Sequence, residues 1–243
     1  MSEREEIRRQ CIQDRIFAVS HPGGRPHNED DFLATQWDQG WLLAVADGLG
    51  GHRAGEVASQ CAIQSLVAAF SQLEGEPSES SFRILFHTVH DTIRSKAEGA
   101  WAGMGTTLVT AYISGSSAII THTGDSRAYV IRDRILFRTR DHSVVQDLLD
   151  SGILTEEEAF RHPMKNMLTA ALGIDFSVNT EKVAIRSGDI VLCASDGFYD
   201  FIPEKTLVHT LLTVPFPDSG EDLLQQALKD STDNVTFIVY RAP

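Results

Sequence analysis

The chain has 243 residues, enough for one large domain whose core holds together without staples, and its 42% apolar and 23% charged content set aside the disordered and fibrous classes. With 34 acidic against 21 basic residues the formal net charge is −13, which argues against a nucleic-acid partner, since such binding rests on basic surface. No segment approaches the roughly 18 uncharged residues of a membrane helix; the opening MSEREEIRRQCIQDR lacks the apolar stretch of a secretory signal, and Cys11, Cys61 and Cys193 form no CxxC pair, so reduced thiols in a cytoplasmic protein are expected.

Residues 1–14 read as a polar arm, with a single domain expected over 15–243. IFAVS (16–20), DFLATQW (31–37) and WLLAVAD (41–47) read as strands joined by loops rich in Gly, Pro and Asp. From 56 to 70, Ala58, Ala62, Leu66 and Phe70, with Ile63 and Val67, recur at helical spacing. Phe82, Leu85, Phe86, Val89 and Ile93 mark a second amphipathic helix, and EGEPSESS (74–81) is short enough to be the loop between the two. Between Thr106 and Phe137 the pattern turns to β: TLVTAYI, the turn SGSS, AIITHT, GDSRAYVIRD and RILF follow too closely for crossover helices, which predicts an antiparallel meander. A helical insert comes next, with Val144, Val145, Leu148 and Leu149 on one face, a break at Gly152 and the acidic start TEEEAFRHP. Strands at 178–185 and 190–195 flank the turn RSGD, helices follow at 204–212 and 221–229, and NVTFIVY ends the pattern as an alternating strand. Hairpins with helical pairs between them predict an α+β domain in which helices cover the outer faces of antiparallel sheets.

Across these elements run four short acidic motifs and a DN pair: RPHNEDD (25–31), ADGLGGH (46–52), TGDSRAY (123–129), SDG (195–197) and Asp233–Asn234. They set Asp30, Asp47, Asp125, Asp196 and Asp233 beside glycines or turn residues at the ends of apolar segments, where a cluster of hard divalent cations finds oxygen ligands. Asp47 follows WLLAVA and precedes Gly48, so its carboxylate projects from a strand end while the glycine leaves a main-chain carbonyl open to a cation. Asp196 repeats the arrangement after IVLCAS. Two such strand ends, facing each other across a pair of sheets, could bridge two cations in a geometry that polarises a phosphoryl group. A lone Asp-Gly is ordinarily a turn, and it is the ordered set that supports the metal reading. Oxygen-only ligands favour Mg²⁺ or Mn²⁺ over zinc, and the guanidinium of Arg25 presents a planar donor fork suited to phosphate.

Taken in order, RxxNED, ADGxGGHxxGExAS, GTT, GDSRAY, DHS, the HP near 162, ALG, SDG and DNVT resemble the metal-dependent protein serine/threonine phosphatases of the PP2C (PPM) family in their bacterial form, from about Ile16 to Tyr240. The resemblance implies a four-layer α/β/β/α sandwich of two antiparallel sheets, with metals in a cleft at one end. It implies two Mn²⁺ or Mg²⁺ ions and an optional third. Asp47 would bridge the pair and Gly48 add its carbonyl, Asp196 and Asp233 would complete the first site, and Glu29 would bind the second metal. Asp30 would hold metal-bound water, Asp125 with Asp196 would hold the third ion, and Arg25 would contact the substrate phosphate. The implied reaction is hydrolysis of phosphoserine or phosphothreonine in proteins by a metal-bridging hydroxide, without a phosphoenzyme. A monomer opposing a Hanks-type kinase is implied, with a flap at about 144–170 that tunes specificity. The SHPGG start looks like that of members tied to kinase-controlled type VI secretion.

Departures from the family pattern shape further expectations. Many members carry an Asp in an SDxG segment where this chain has His21 and Pro22, so altered metal affinity is expected. Leu49 stands where eukaryotic members place an acid histidine, which leaves metal-bound water as the acid, and His52 reads as structural. Asp141, beside His142, reads as a helix N-cap, Thr106 and Thr107 as β-formers with one hydroxyl directed at the site, and Cys193 as core packing. No Cys-x5-Arg loop exists for a covalent cysteine phosphatase. The competing class is a pseudophosphatase serving as a phosphoprotein-binding module, whose sign would be loss of core ligands, and all of them are present. A metal nuclease is disfavoured by the net charge.

Overall fold

Several strands of this chain are apolar at every position rather than at alternate ones, and the reason is that both of their faces are covered. The structure, a computed structural model, describes residues 7–12, 14–37, 40–49 and 53–243. In β4 (Gly40–Leu49), Trp41, Leu43 and Val45 point into a core between two sheets, while Leu42, Ala44 and Ala46 point into a second core beneath helices. In β11 (Ile190–Ala194), Val191 and Cys193 join the first core and Ile190, Leu192 and Ala194 a third. Side chains alternate along a strand, so three cores stacked in this way require four layers, as expected from the sequence.

One sheet has the order β1 (Arg8–Ile12), β2 (Ile16–His21), β12 (Val235–Arg241), β11, β8 (Arg127–Ile131) and β9 (Ile135–Arg138). The other runs β10 (Asn179–Ala184), β7 (Ser117–Thr123), β6 (Leu108–Ser114), β4 and β3 (Asp30–Trp37), with the short β5 (Gly105–Thr106) against the end of β4. Every pairing is antiparallel. Helices α1 (Arg53–Phe70) and α2 (Glu79–Lys96) cover the second sheet, and α5 (Asp196–Tyr199), α6 (Glu204–Thr213) and α7 (Asp218–Asp230) cover the first. Between β9 and β10 lie α3 (Val144–Asp150) and α4 (Glu156–Phe160), in the segment expected to be a flap. Ser78 starts α2 through a reciprocal cap with Ser81. Phe70 closes α1 against Trp37, Tyr112 and Phe82, with ring centroids 5.4, 5.5 and 5.8 Å away. Among the described residues no helix is long and apolar enough to cross a membrane.

Two expectations change. The predicted meander is two hairpins in different sheets: β7 pairs with β6 and β10, whereas β8 pairs with β11 and β9. The chain crosses between sheets at Gly124–Ser126. Three extended residues span roughly 10 Å, about the spacing of stacked sheets, so a connection too short for a helix is long enough to change sheet. The arm also differs. Residues 1–6 lie outside the described residues, but Arg8–Ile12 forms an edge strand registered on Ile16–Ser20. Arg8 bonds the Asp31 carboxylate and sits 4.7 Å above the Phe32 ring. A polar edge strand carries no apolar signature.

Candidate active site

The site follows from strand periodicity. The inward-facing residues of each strand are apolar until one end of the sandwich, where the same parity delivers polar groups. After Ile16 and Ala18 on β2 comes Ser20, after Ala34 and Phe32 on β3 comes Asp30, and after Leu43 and Val45 on β4 comes Asp47. One residue beyond β6, β8 and β11 the pattern yields Thr107, Ser126 and Ser195, and on β12 it yields Thr236. These groups satisfy one another, as buried polar groups must. Thr107 Oγ1 lies 2.7 Å from Ser126 Oγ, Thr236 donates to Ser20 Oγ at 2.8 Å, and Ser195 donates to Asp30 Oδ2 at 2.8 Å. Asp30 and Asp47 are register partners. The Asp47 peptide is gripped on both sides: its N–H donates to Thr107 Oγ1 at 3.0 Å, and its carbonyl accepts from Thr106 Oγ1 at 2.8 Å and from the Thr107 N–H at 2.9 Å.

Above this layer a cleft of about 440 Å³ is lined by Arg25, Glu29, Asp47, Gly48, Asp125, Asp196 and Asp233, with Leu49 at its edge. Seven of the eight residues assigned from the sequence thus meet in one place, and Asp30 lies buried beneath them. Asp125 rides on the crossing turn, where its carbonyl accepts from the Tyr199 hydroxyl at 3.0 Å. Asp196 is the first residue of α5. Asp233 accepts from the Asn234 N–H at 2.9 Å and from Arg25 at 2.7 Å. Glu29 is positioned by Asn234, whose Oδ1 accepts the Glu29 N–H at 2.8 Å while its Nδ2 donates to the carbonyls of Pro22 and His27 at 2.9 and 2.8 Å. His21 accepts the Gly23 N–H at 2.8 Å through Nδ1, so it shapes the turn that leads to Arg25. A Cβ on Gly48 would run into the Gly55 backbone and lie 2.6 Å from the Glu29 carbonyl. Close packing is thus a second reason for glycine there.

The electrostatics are those of a site short of positive charge. Burial, with repulsion from Asp196 and Asp233, pushes Asp30 up to about 7 despite hydrogen bonds from Thr236 and Ser195. Burial and Asp233 push Asp196 to about 6. Asp47 and Asp125 are held well above the usual carboxylate range, first by burial and then by neighbouring aspartates. Crowded carboxylates that resist ionising together are relieved by a bound cation. Among the described residues no three His, Cys, Asp or Glu side chains are spaced to hold an ion by themselves. The chemistry of the donors, all oxygen, suits Mg²⁺ or Mn²⁺ rather than zinc, and Mg²⁺ characteristically keeps part of its water shell. The donor set therefore fits divalent cations.

Other assignments shift. Ser143, not Asp141, caps α3, accepting from the Gln146 N–H at 3.2 Å. Asp141 instead takes two bonds from Arg127, at 2.9 and 2.7 Å, and that guanidinium lies 3.8 Å from the Tyr199 ring centroid. An Asp three residues before the first helical residue invited the capping reading, but the half-buried Arg127 is the stronger claimant for a carboxylate. The Thr106 and Thr107 hydroxyls serve the backbone of Asp47. Cys193 is buried between the sheets, its thiol pushed up to about 12 by burial. His52 lies outside the described residues. Asn234, Ser195 and Tyr199 were missed: their roles depend on which strands and turns adjoin, although Asn234 stood in plain view beside Asp233.

A protein phosphatase 2C family profile matches residues 19–234. The serine/threonine phosphatase Stp of Listeria monocytogenes serovar 1/2a is 38% identical over 197 residues, covering 77% of this chain and 78% of that protein. Among solved structures, the phosphatase Stp1 from Staphylococcus aureus aligns with a TM-score of 0.86 at 32% identity over 100% of both chains. The catalytic domain of the phosphatase PstP in complex with two manganese ions aligns with a TM-score of 0.81 at 33% identity, over 93% of this chain and 97% of that one. Family match, architecture and cleft agree over nearly the whole chain, which belongs to the protein phosphatase 2C family as a bacterial-type protein serine/threonine phosphatase.

Proposed function

We propose that this phosphatase hydrolyses phosphoserine and phosphothreonine in proteins with two divalent cations, Mn²⁺ or Mg²⁺, and reverses as a monomer the action of a Hanks-type kinase. The observation that carries the metal-dependent part is the meeting of Asp47, from the end of β4, with Asp196, from the end of β11, in one cleft where burial and neighbouring aspartates push both carboxylates toward the protonated form. The bound cations supply Lewis acidity toward phosphoryl oxygens and lower the pKa of water into the neutral range.

The chain's own residues do the rest. Asp47 and Asp196 would hold the cations, with Gly48, Glu29 and Asp233 adding to the ligand set and Asp125 available to a third ion. Arg25, now on Asp233, is exposed enough to swing onto a phosphoryl group and orient it. Asp30, the register partner of Asp47 and bonded by Ser195, would hold a water beside the bound ions. Leu49 has no proton to give, so the leaving alcohol takes its proton from water in the cleft. A phosphothreonine peptide should be hydrolysed with Mn²⁺ and not with excess chelator. Chelator-insensitive turnover would sink this reading.

A further inference from the structure

We propose that a second cavity, beside the catalytic cleft, receives a basic side chain flanking the phosphorylated residue of the protein substrate; this rests on the phosphatase reading above. The cavity measures about 410 Å³ and opens between the flap and the start of α6. Asp125, Asn166 and Asp196 line both it and the catalytic cleft, so the two are continuous. Neighbouring residues of an extended peptide are about 3.3–3.6 Å apart. A chain with its phosphoryl group at Asp47 and Asp196 therefore carries the next side chains over this cavity.

Its walls and charges select among side chains. Val145, Leu149, Ala159 and Phe160 of the flap face Ile202 and Pro203, an apolar slot suited to the methylene stem of Lys or Arg. The lining holds six carboxylates against three cations. Each cation is already engaged with one of those carboxylates: Arg127 with Asp141, Arg138 with Glu204 at 2.8 Å and Lys165 with Asp200 at 2.6 Å. What remains is Glu156 on the exposed first turn of α4, together with Asp125 and Asp196 at the metal end. An acidic flank or second phosphate would find every cation occupied, whereas a basic flank meets Glu156. The net charge of −13 favours the same partner at longer range. Beyond the slot, the flap and the turn after it also carry five of the ten exposed large apolar side chains among the described residues, namely Ile153, Phe160, Met164, Met167 and Ile174, a concentration typical of a docking surface.

The test uses phosphothreonine peptides identical except for Arg, Leu or Glu at the positions flanking phosphothreonine, assayed with the Mn²⁺-loaded protein. kcat/KM should favour Arg over Leu, and Leu over Glu, by roughly two- to fivefold per step, the scale of a partly exposed ion pair. Glu156→Gln should flatten the series and Glu156→Lys should invert it, with hydrolysis of a small aryl phosphate unchanged as the control for folding and chemistry. Equal kcat/KM for the three peptides, or the same preference in Glu156→Lys, overturns the proposal while leaving the phosphatase reading intact. A wild-type protein inactive on aryl phosphate and all peptides overturns both.

Discussion

At the scale of single residues, unequal burdens fall on the acidic side chains. Asp47 and Asp196 come from opposite sheets, and each is half-buried among other carboxylates, so neither has a substitute. Asp47→Asn or Asp196→Asn should each lower kcat by at least ~100-fold, whereas Asp125→Asn should slow turnover with little loss of Mn²⁺ affinity in a calorimetric titration. Asn234 tests the supporting groups. Its amide binds the Glu29 N–H and the carbonyls of Pro22 and His27 at once, so Asn234→Ala should cost about 10- to 100-fold in Mn²⁺ affinity or activity, as other groups behind metal ligands do. Wild-type affinity and rate in that variant would show that Glu29 is held by other means. The residues that line the cleft were legible in the sequence because each sits in a short motif. The groups behind them were not, because Ser195 meets Asp30, and Thr107 meets Asp47, only once strand register is fixed.

Among elements, the crossing at Gly124–Ser126 matters most for the site. It carries Asp125 from one sheet to the other and is pinned by His142, whose N–H donates to the Gly124 carbonyl at 2.9 Å and whose Nδ1 accepts the Gly124 N–H at 3.3 Å. The His142 carbonyl in turn accepts from the Thr169 N–H at 2.9 Å, tying the same turn to the far end of the flap. His142→Ala should lower kcat several-fold, and His142→Asn, which offers an acceptor at a similar place, should restore most of the loss. Equal damage by both would mean that the imidazole acts by packing. Strand and helix positions were readable from period and turn chemistry, since β4, α1 and α2 need only their own side chains to be recognised. The sheet each strand joins was not readable: β7 and β8 look like neighbours in sequence and are separated by a core in space.

For the whole molecule, three apolar cores support a layer of buried acid, and that layer makes stability depend on pH and metal together. Asp30 and Asp196 are raised to about 7 and about 6, above their usual value of 3.8, so between pH 4 and 7 the metal-free native state binds more protons than the unfolded chain. Stability from these groups is present at the acid end and is lost as pH rises through their folded values. His122, lowered to about 4 by burial, works in the opposite sense over part of the same window. The informative quantity is therefore the Tm difference between Mn²⁺-loaded and chelator-treated protein, in which the histidine contribution cancels. That difference should grow from pH 5 to pH 8 as the cation replaces protons, and a difference independent of pH would contradict the electrostatic account. The central claim, that the polar end of the inter-sheet core is a divalent-cation site for phosphoester hydrolysis, is tested most directly by titrating Mn²⁺ into phosphothreonine-peptide hydrolysis by the wild type and Asp47→Asn side by side. The account predicts saturable activation of the wild type and none of the variant at any Mn²⁺ concentration that leaves it folded; equal activation of both would contradict it.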